Sequence, residues 1–111
     1  MAQNAQQIAD AIYEHLKKDV DGYNFSKFYI GITNDIERRF FGEHNVPRNG
    51  HWRIHREAIN KEHAQAVEEH FLNRGMQGDT GGGFEDSVWV YCYKISNKTR
   101  ESLWEIEKKF M

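Results

Sequence analysis

Residues 88–95, VWVYCYKI, leave this chain less choice than any other stretch. β-Branched and aromatic side chains follow one another there without glycine, proline or acid, which suits an extended, pleated segment. Residues 26–33, SKFYIGIT, have the same character. Residues 51–58, HWRIHREA, alternate Trp52, Ile54 and Arg56 with Arg53, His55 and Glu57, the period of a strand. Three strands are predicted.

Helical patterns fill most of the remainder. Ile8, Ile12 and Leu16 recur every four positions within residues 5–18, and the lysines at the C-terminal end suit the helix dipole. DVDGYN then breaks the pattern. Asn34 or Thr33 can cap a helix over residues 35–44, with Asp35 and Glu37 in its first turn. VPRNG is a loop holding the only proline. Asn60 is placed to cap a helix over residues 61–74, with Ala64, Val67, Phe71 and Leu72 as its apolar stripe. Gly75 stands where a left-handed terminal residue is wanted. A glycine-rich stretch, GMQGDTGGGFEDS, precedes the third strand, and residues 99–110 are predicted to close the chain as a helix. The sum is α+β, a small three-stranded antiparallel sheet flanked by helices. Without a repeat or a linker, residues 1–111 are predicted as one domain, with residues 1–20 an N-terminal helical addition and 99–111 a C-terminal helix.

Composition narrows the functional classes. At 111 residues with 39% apolar and 14% aromatic content, the chain can bury one modest core. Its single cysteine, Cys92, permits no internal disulfide and suits a reducing cytosol. The polar start MAQNAQQIAD has no leader-like basic and apolar pattern, and no stretch reaches membrane-spanning length. A cytoplasmic protein without a membrane partner is expected. The net charge of −2 lacks the basic balance of a dedicated DNA binder. Charge is uneven, though. Residues 38–63 hold six Lys/Arg against three Glu, a net of +3, with four histidines. That segment is a candidate anion-binding face, with Arg38, Arg48, Arg53 and Arg56 as candidate nucleic-acid contacts.

Residues 28–45, FYIGITNDIERRFFGEHN, carry the sharpest signal. Taken alone, Gly31 reads as a strand glycine allowing close packing, and Arg38 and Arg39 as a solvated helix face. Taken together, Tyr29-Ile30-Gly31 followed by Arg39 ten positions after the tyrosine resembles the second half of the GIY-YIG nuclease signature. In that family a YIG strand runs into a helix bearing an arginine, then a His or Tyr about a turn later. A strand and a second helix with a metal-holding glutamate follow. HWRIHREA and HAQAVEEHF supply that order here and place Glu68 at the metal position. The resemblance spans residues 27–73.

The sequence departs from the family pattern in three places, one being the family's late asparagine, for which Asn73 is the nearest counterpart. His44 lies five residues after Arg39, where the family spacing is four, and one residue turns an α-helical side chain by roughly 100°. The family's first strand, with the GIY tyrosine, should precede Tyr29, yet a helix and loop stand there, with Tyr23 as the nearby tyrosine. WVYCYKISNKT resembles that first strand, which implies a circular permutation with either Tyr91 or Tyr93 as the partner tyrosine. Strand 28–33 should then pair antiparallel with strand 88–95.

The resemblance implies a metal-dependent endonuclease that hydrolyses DNA phosphodiesters. Glu68 would anchor Mg²⁺ or Mn²⁺, a hard ion that retains most of its waters. Arg39 would hold the non-bridging phosphate oxygens. Tyr29 and Tyr91 or Tyr93 would position or deprotonate the attacking water, and a near-neutral pKa would let His44 share that work. Glu69, about 100° from Glu68 around the helix, should face solvent. The rival function is a non-catalytic nucleic-acid-binding or protein-interaction module on the same fold. His51 and His55 with His63 or His70 lack the cysteine pair of a common zinc site, and GDTGGG lacks the Lys-Ser/Thr of a phosphate loop.

Overall fold

The computed structural model describes residues 1–78 and 85–101. The described residues form an α+β fold in which helices cover both faces of a three-stranded antiparallel sheet. Residues 79–84 of the glycine-rich loop and 102–111 of the predicted C-terminal helix lie outside the described residues.

Helix α1 spans Ala5–Leu16. Asn4 caps it by accepting from Gln7 N–H, while the Gln7 side chain accepts in return from Asn4 N–H, a reciprocal capping box. Ile8, Ile12 and Leu16 are all buried, as their spacing requires. Each such side chain contributes about 1.5–3 kcal/mol through burial. Gly22 follows in the turn, because a Cβ there would strike the Leu16 carbonyl. Phe25–Lys27 form a short 3-10 turn, so strand β1 begins at Phe28, later than the sequence pattern suggests, and runs to Thr33.

Strand β2 is Arg53–Glu57, helix α2 is Lys61–Asn73 and strand β3 is Trp89–Lys94. Asn60 caps α2 by accepting from His63 N–H at 2.9 Å, and Gly75 takes a φ of 110° after its end. The sheet order is β1-β3-β2. Strand β3 therefore pairs antiparallel with β1, as expected, and also with β2. The open edge of β1 is closed by Gln77, which exchanges backbone hydrogen bonds with Phe28 and Ile30. All six residues of this edge strand are buried.

The strand period sorts side chains into two layers. Phe28, Ile30 and Ile32 join Ile54, Val90 and Cys92 against α1 and α2 in the larger apolar core. On the opposite face Tyr29, Tyr91 and Tyr93 pack with Phe40 and Val46. Phe40 belongs to the helix Glu37–Glu43, which is a π-helix. Asp35 caps its start, accepting from Arg38 N–H at 3.1 Å, so neither Asn34 nor Thr33 does; Thr33 instead holds Asp35 N–H through its hydroxyl.

Candidate functional site

The register of the sheet brings the named tyrosines together. Tyr29 lies opposite Tyr93, and Gly31 opposite Tyr91. Gly31 has no side chain for a physical reason. A Cβ at that position would lie 2.8 Å from Tyr91 Cε1, with two further ring and hydroxyl atoms closer still. The glycine is the gap across which the Tyr91 ring reaches. Tyr29 stacks on Tyr93 with centroids 5.3 Å apart and on Tyr91 at 6.2 Å. Tyr23, by contrast, is 91% exposed and stands outside this cluster.

The π-helix supplies the next two groups. His44 N–H bonds to the Arg39 carbonyl at 2.9 Å, five residues back. This wider turn absorbs the extra residue between Arg39 and His44, so the two side chains meet at one point. Arg39 Nε donates to the Tyr91 hydroxyl at 3.1 Å, and His44 Nε2 lies 2.9 Å from the same oxygen. His44 Nδ1 bonds to the Arg100 carbonyl. A carbonyl only accepts, so Nδ1 carries a proton; in the neutral ring Nε2 then accepts from Tyr91. The Tyr93 hydroxyl sits 3.0 Å from His44 Nδ1 and donates to Glu101 Oε2 at 2.9 Å.

Burial sets the electrostatics. Burial pushes the Tyr91 hydroxyl up to about 12, against the opposing pull of Arg39, so Tyr91 is a neutral phenol at physiological pH. Tyr93 is raised as well, by burial first and then by the Glu101 carboxylate. Burial acts to weaken the Arg39 charge, but Tyr91 and Glu43 more than offset it and hold the guanidinium protonated. Arg39 is thus no solvated surface charge. Its side chain is 25% exposed, and Glu43 Oε2 meets its Nη1 at 2.7 Å.

Glu68 lies on the buried side of α2, 6% exposed, while Glu69 faces solvent. Its charge acts on Tyr91, raising that hydroxyl further. Tyr29, Arg39, His44, Tyr91 and Tyr93 therefore converge in one layer, with Glu68 within electrostatic reach of it. Among the described residues no three His, Cys, Asp or Glu side chains group as a metal site. The histidines weighed as zinc ligands are dispersed: His51 bonds to the Lys94 carbonyl, His63 accepts from Ala5 N–H, and His70 pairs with the Tyr13 hydroxyl.

The four arginines named as nucleic-acid contacts differ in their freedom. Arg38 is exposed and bonds Asn34. Arg48 pairs with Glu37 and lies over the Phe41 ring at 4.0 Å. Arg53 is partly buried and donates to the Pro47 and Arg48 carbonyls, which makes it a brace for that loop. Arg56 is exposed and donates to the His55 carbonyl. An open groove of about 650 Å³ between Phe41, Pro47, Arg48 and Lys98 does not include the tyrosines.

Three contributors were not named from the sequence. Arg100 and Glu101 hold His44 and Tyr93 across separations of 56 and 8 residues respectively, which no helix or strand period encodes. Glu43 was legible, since it stands four residues after Arg39 on one helix. Comparison with family models, curated proteins and solved structures finds no match.

Proposed function

We propose that this chain is a metal-dependent endonuclease of the GIY-YIG type, acting on phosphodiester bonds in DNA. The observation that carries the proposal is the convergence of Arg39 and His44 on one tyrosine hydroxyl, within stacking distance of Tyr29. A phosphodiester resists attack because it is anionic, so a catalyst must supply positive charge and orient a nucleophile. Arg39 is permanently charged and anchored through Nε, so a phosphate would be met by its terminal nitrogens, of which Nη1 is held by Glu43 in the resting protein. Tyr91, held neutral, serves to position rather than to abstract a proton. His44, with Nδ1 committed to Arg100, presents Nε2 as the acceptor of the Tyr91 proton.

Glu68 is the residue that would hold Mg²⁺ or Mn²⁺. Its buried carboxylate, whose charge acts on Tyr91, is a hard oxygen donor of the kind that suits such an ion. The bound ion would supply further positive charge at the scissile phosphate. We further infer that β3 takes the place of the family's first strand, in keeping with its antiparallel pairing to β1.

One observation favours the non-catalytic alternative, a nucleic-acid-binding module. His44 and Tyr93 are 1% and 0% exposed, and their polar atoms are already engaged by Arg100 and Glu101. Incubation of supercoiled plasmid with the protein in Mg²⁺, Mn²⁺ or EDTA separates the two. Nicking in either metal and none in EDTA is the expected result; retention of the plasmid in a gel shift without nicking would favour the binding module.

A further inference from the structure

Glu43 occupies Nη1, one of the two terminal nitrogens through which Arg39 would take a phosphate. The Arg39 guanidinium is fixed on one side by Nε to Tyr91, so its outer edge is the part available to a ligand. Glu43 Oε2 sits on that edge, 2.7 Å from Nη1, and Glu43 Oε1 lies 3.5 Å from Arg38 Nε. A carboxylate presents to a guanidinium the same pair of anionic oxygens that a phosphodiester presents. The π-helix creates this arrangement. It hands the Tyr91 contact to His44 and leaves Glu43, one residue earlier, against the two arginines. Glu43 is 31% exposed and Arg39 25%, so the pair is sheltered enough to persist yet open enough to be exchanged by an incoming anion.

We propose that Glu43 is a built-in competitor for the phosphate site, a carboxylate that a nucleic-acid phosphodiester must displace before Arg39 can grip it. The inference rests on the role given to Arg39 in the nuclease reading above. It makes Glu43 a determinant of affinity: the resting protein carries its own anion, and removing that charge frees the site.

The test measures binding, separately from cleavage. A short DNA duplex is titrated in EDTA into the wild type, Glu43→Gln, Arg39→Ala and the double variant, with Glu69→Gln as a charge control. Inorganic phosphate is titrated in parallel, read by the Arg39 side-chain N–H resonance. Glu43→Gln should bind the duplex roughly five-fold tighter than the wild type and respond to phosphate at lower concentration. Arg39→Ala should erase that gain, and Glu69→Gln should show none. An unchanged or weaker affinity in Glu43→Gln overturns the inference, as does an equal gain in Glu69→Gln or in the Arg39→Ala background. Failure of every variant to bind either probe overturns it too. The nuclease reading can fail independently. If Glu43→Gln gains binding while no variant nicks plasmid in Mg²⁺ or Mn²⁺, the competitor role stands and the catalytic one falls.

Discussion

Tyr91 receives contacts from three directions: Gly31 beneath its ring, Arg39 at its hydroxyl and His44 beside it. Substituting Gly31 with alanine forces the ring out of this position. The expected cost is about 1–3 kcal/mol, as for other overpacked interiors, measurable as a lower midpoint in urea. An unchanged midpoint would mean the ring has room that the present packing denies. Arg39→Ala should abolish cleavage, and because Arg39 is partly buried it should also cost about 1 kcal/mol of stability. Arg38→Ala, at an exposed neighbour, should retain most activity. Equal losses from both would place the wrong arginine at the phosphate. The sequence already pointed to Tyr29, Gly31 and Arg39, because their spacing is local. It cast Arg39 in isolation as a surface charge, since burial by residues 52 positions away leaves no mark on a helix pattern.

The decisive element is the π-helix Glu37–Glu43. With α-helical geometry assumed, a five-residue spacing would turn His44 away from Arg39; i→i+5 bonding restores the alignment. A seven-residue run of helix-compatible side chains does not announce which of the two ladders it will adopt. Tertiary packing of Phe40, buried against the tyrosines, chooses between them. Deleting Gly42, which is exposed and contacts little beyond its own helix, should convert the turn to four-residue spacing while keeping the histidine near Tyr91. Inserting an alanine after Gly42 should instead displace it. Nuclear Overhauser contacts between the histidine and Tyr91 read the outcome, with retention in the deletion and loss in the insertion expected. The reverse pattern would show that π geometry is incidental to the contact. By comparison, α1, α2 and all three strands were legible, because each carries its period in apolar side chains that end up buried. Their ends were less so: the 3-10 turn at Phe25–Lys27 shortens β1 through a backbone preference with no apolar signature.

At the scale of the molecule, the sheet separates two duties. One face joins α1 and α2 in an apolar core, and the other carries the tyrosine layer. Stability has a pH signature on both faces, through His15 of α1 and through His55, which lies opposite Tyr91. Burial first, and then neighbouring cations, lower the pKa of His55; burial likewise lowers that of His15. A depressed native pKa means the unfolded chain binds more protons as pH falls past its ordinary value near 6.5, so stability declines on acidification through that region. Urea midpoints should fall between pH 7.5 and 5.5, and His15→Gln should flatten the decline; a midpoint that rises on acidification would contradict this. The two layers also locate the central claim, because Glu68 alone is asked to bring a metal charge to the tyrosine face. Plasmid nicking in Mg²⁺ by the wild type, Glu68→Gln and Glu69→Gln tests it most directly. Cleavage by the wild type and Glu69→Gln, with none by a folded, DNA-binding Glu68→Gln at any magnesium concentration, is the predicted result. Undiminished cleavage by Glu68→Gln, or no metal-dependent cleavage by the wild type, would contradict it.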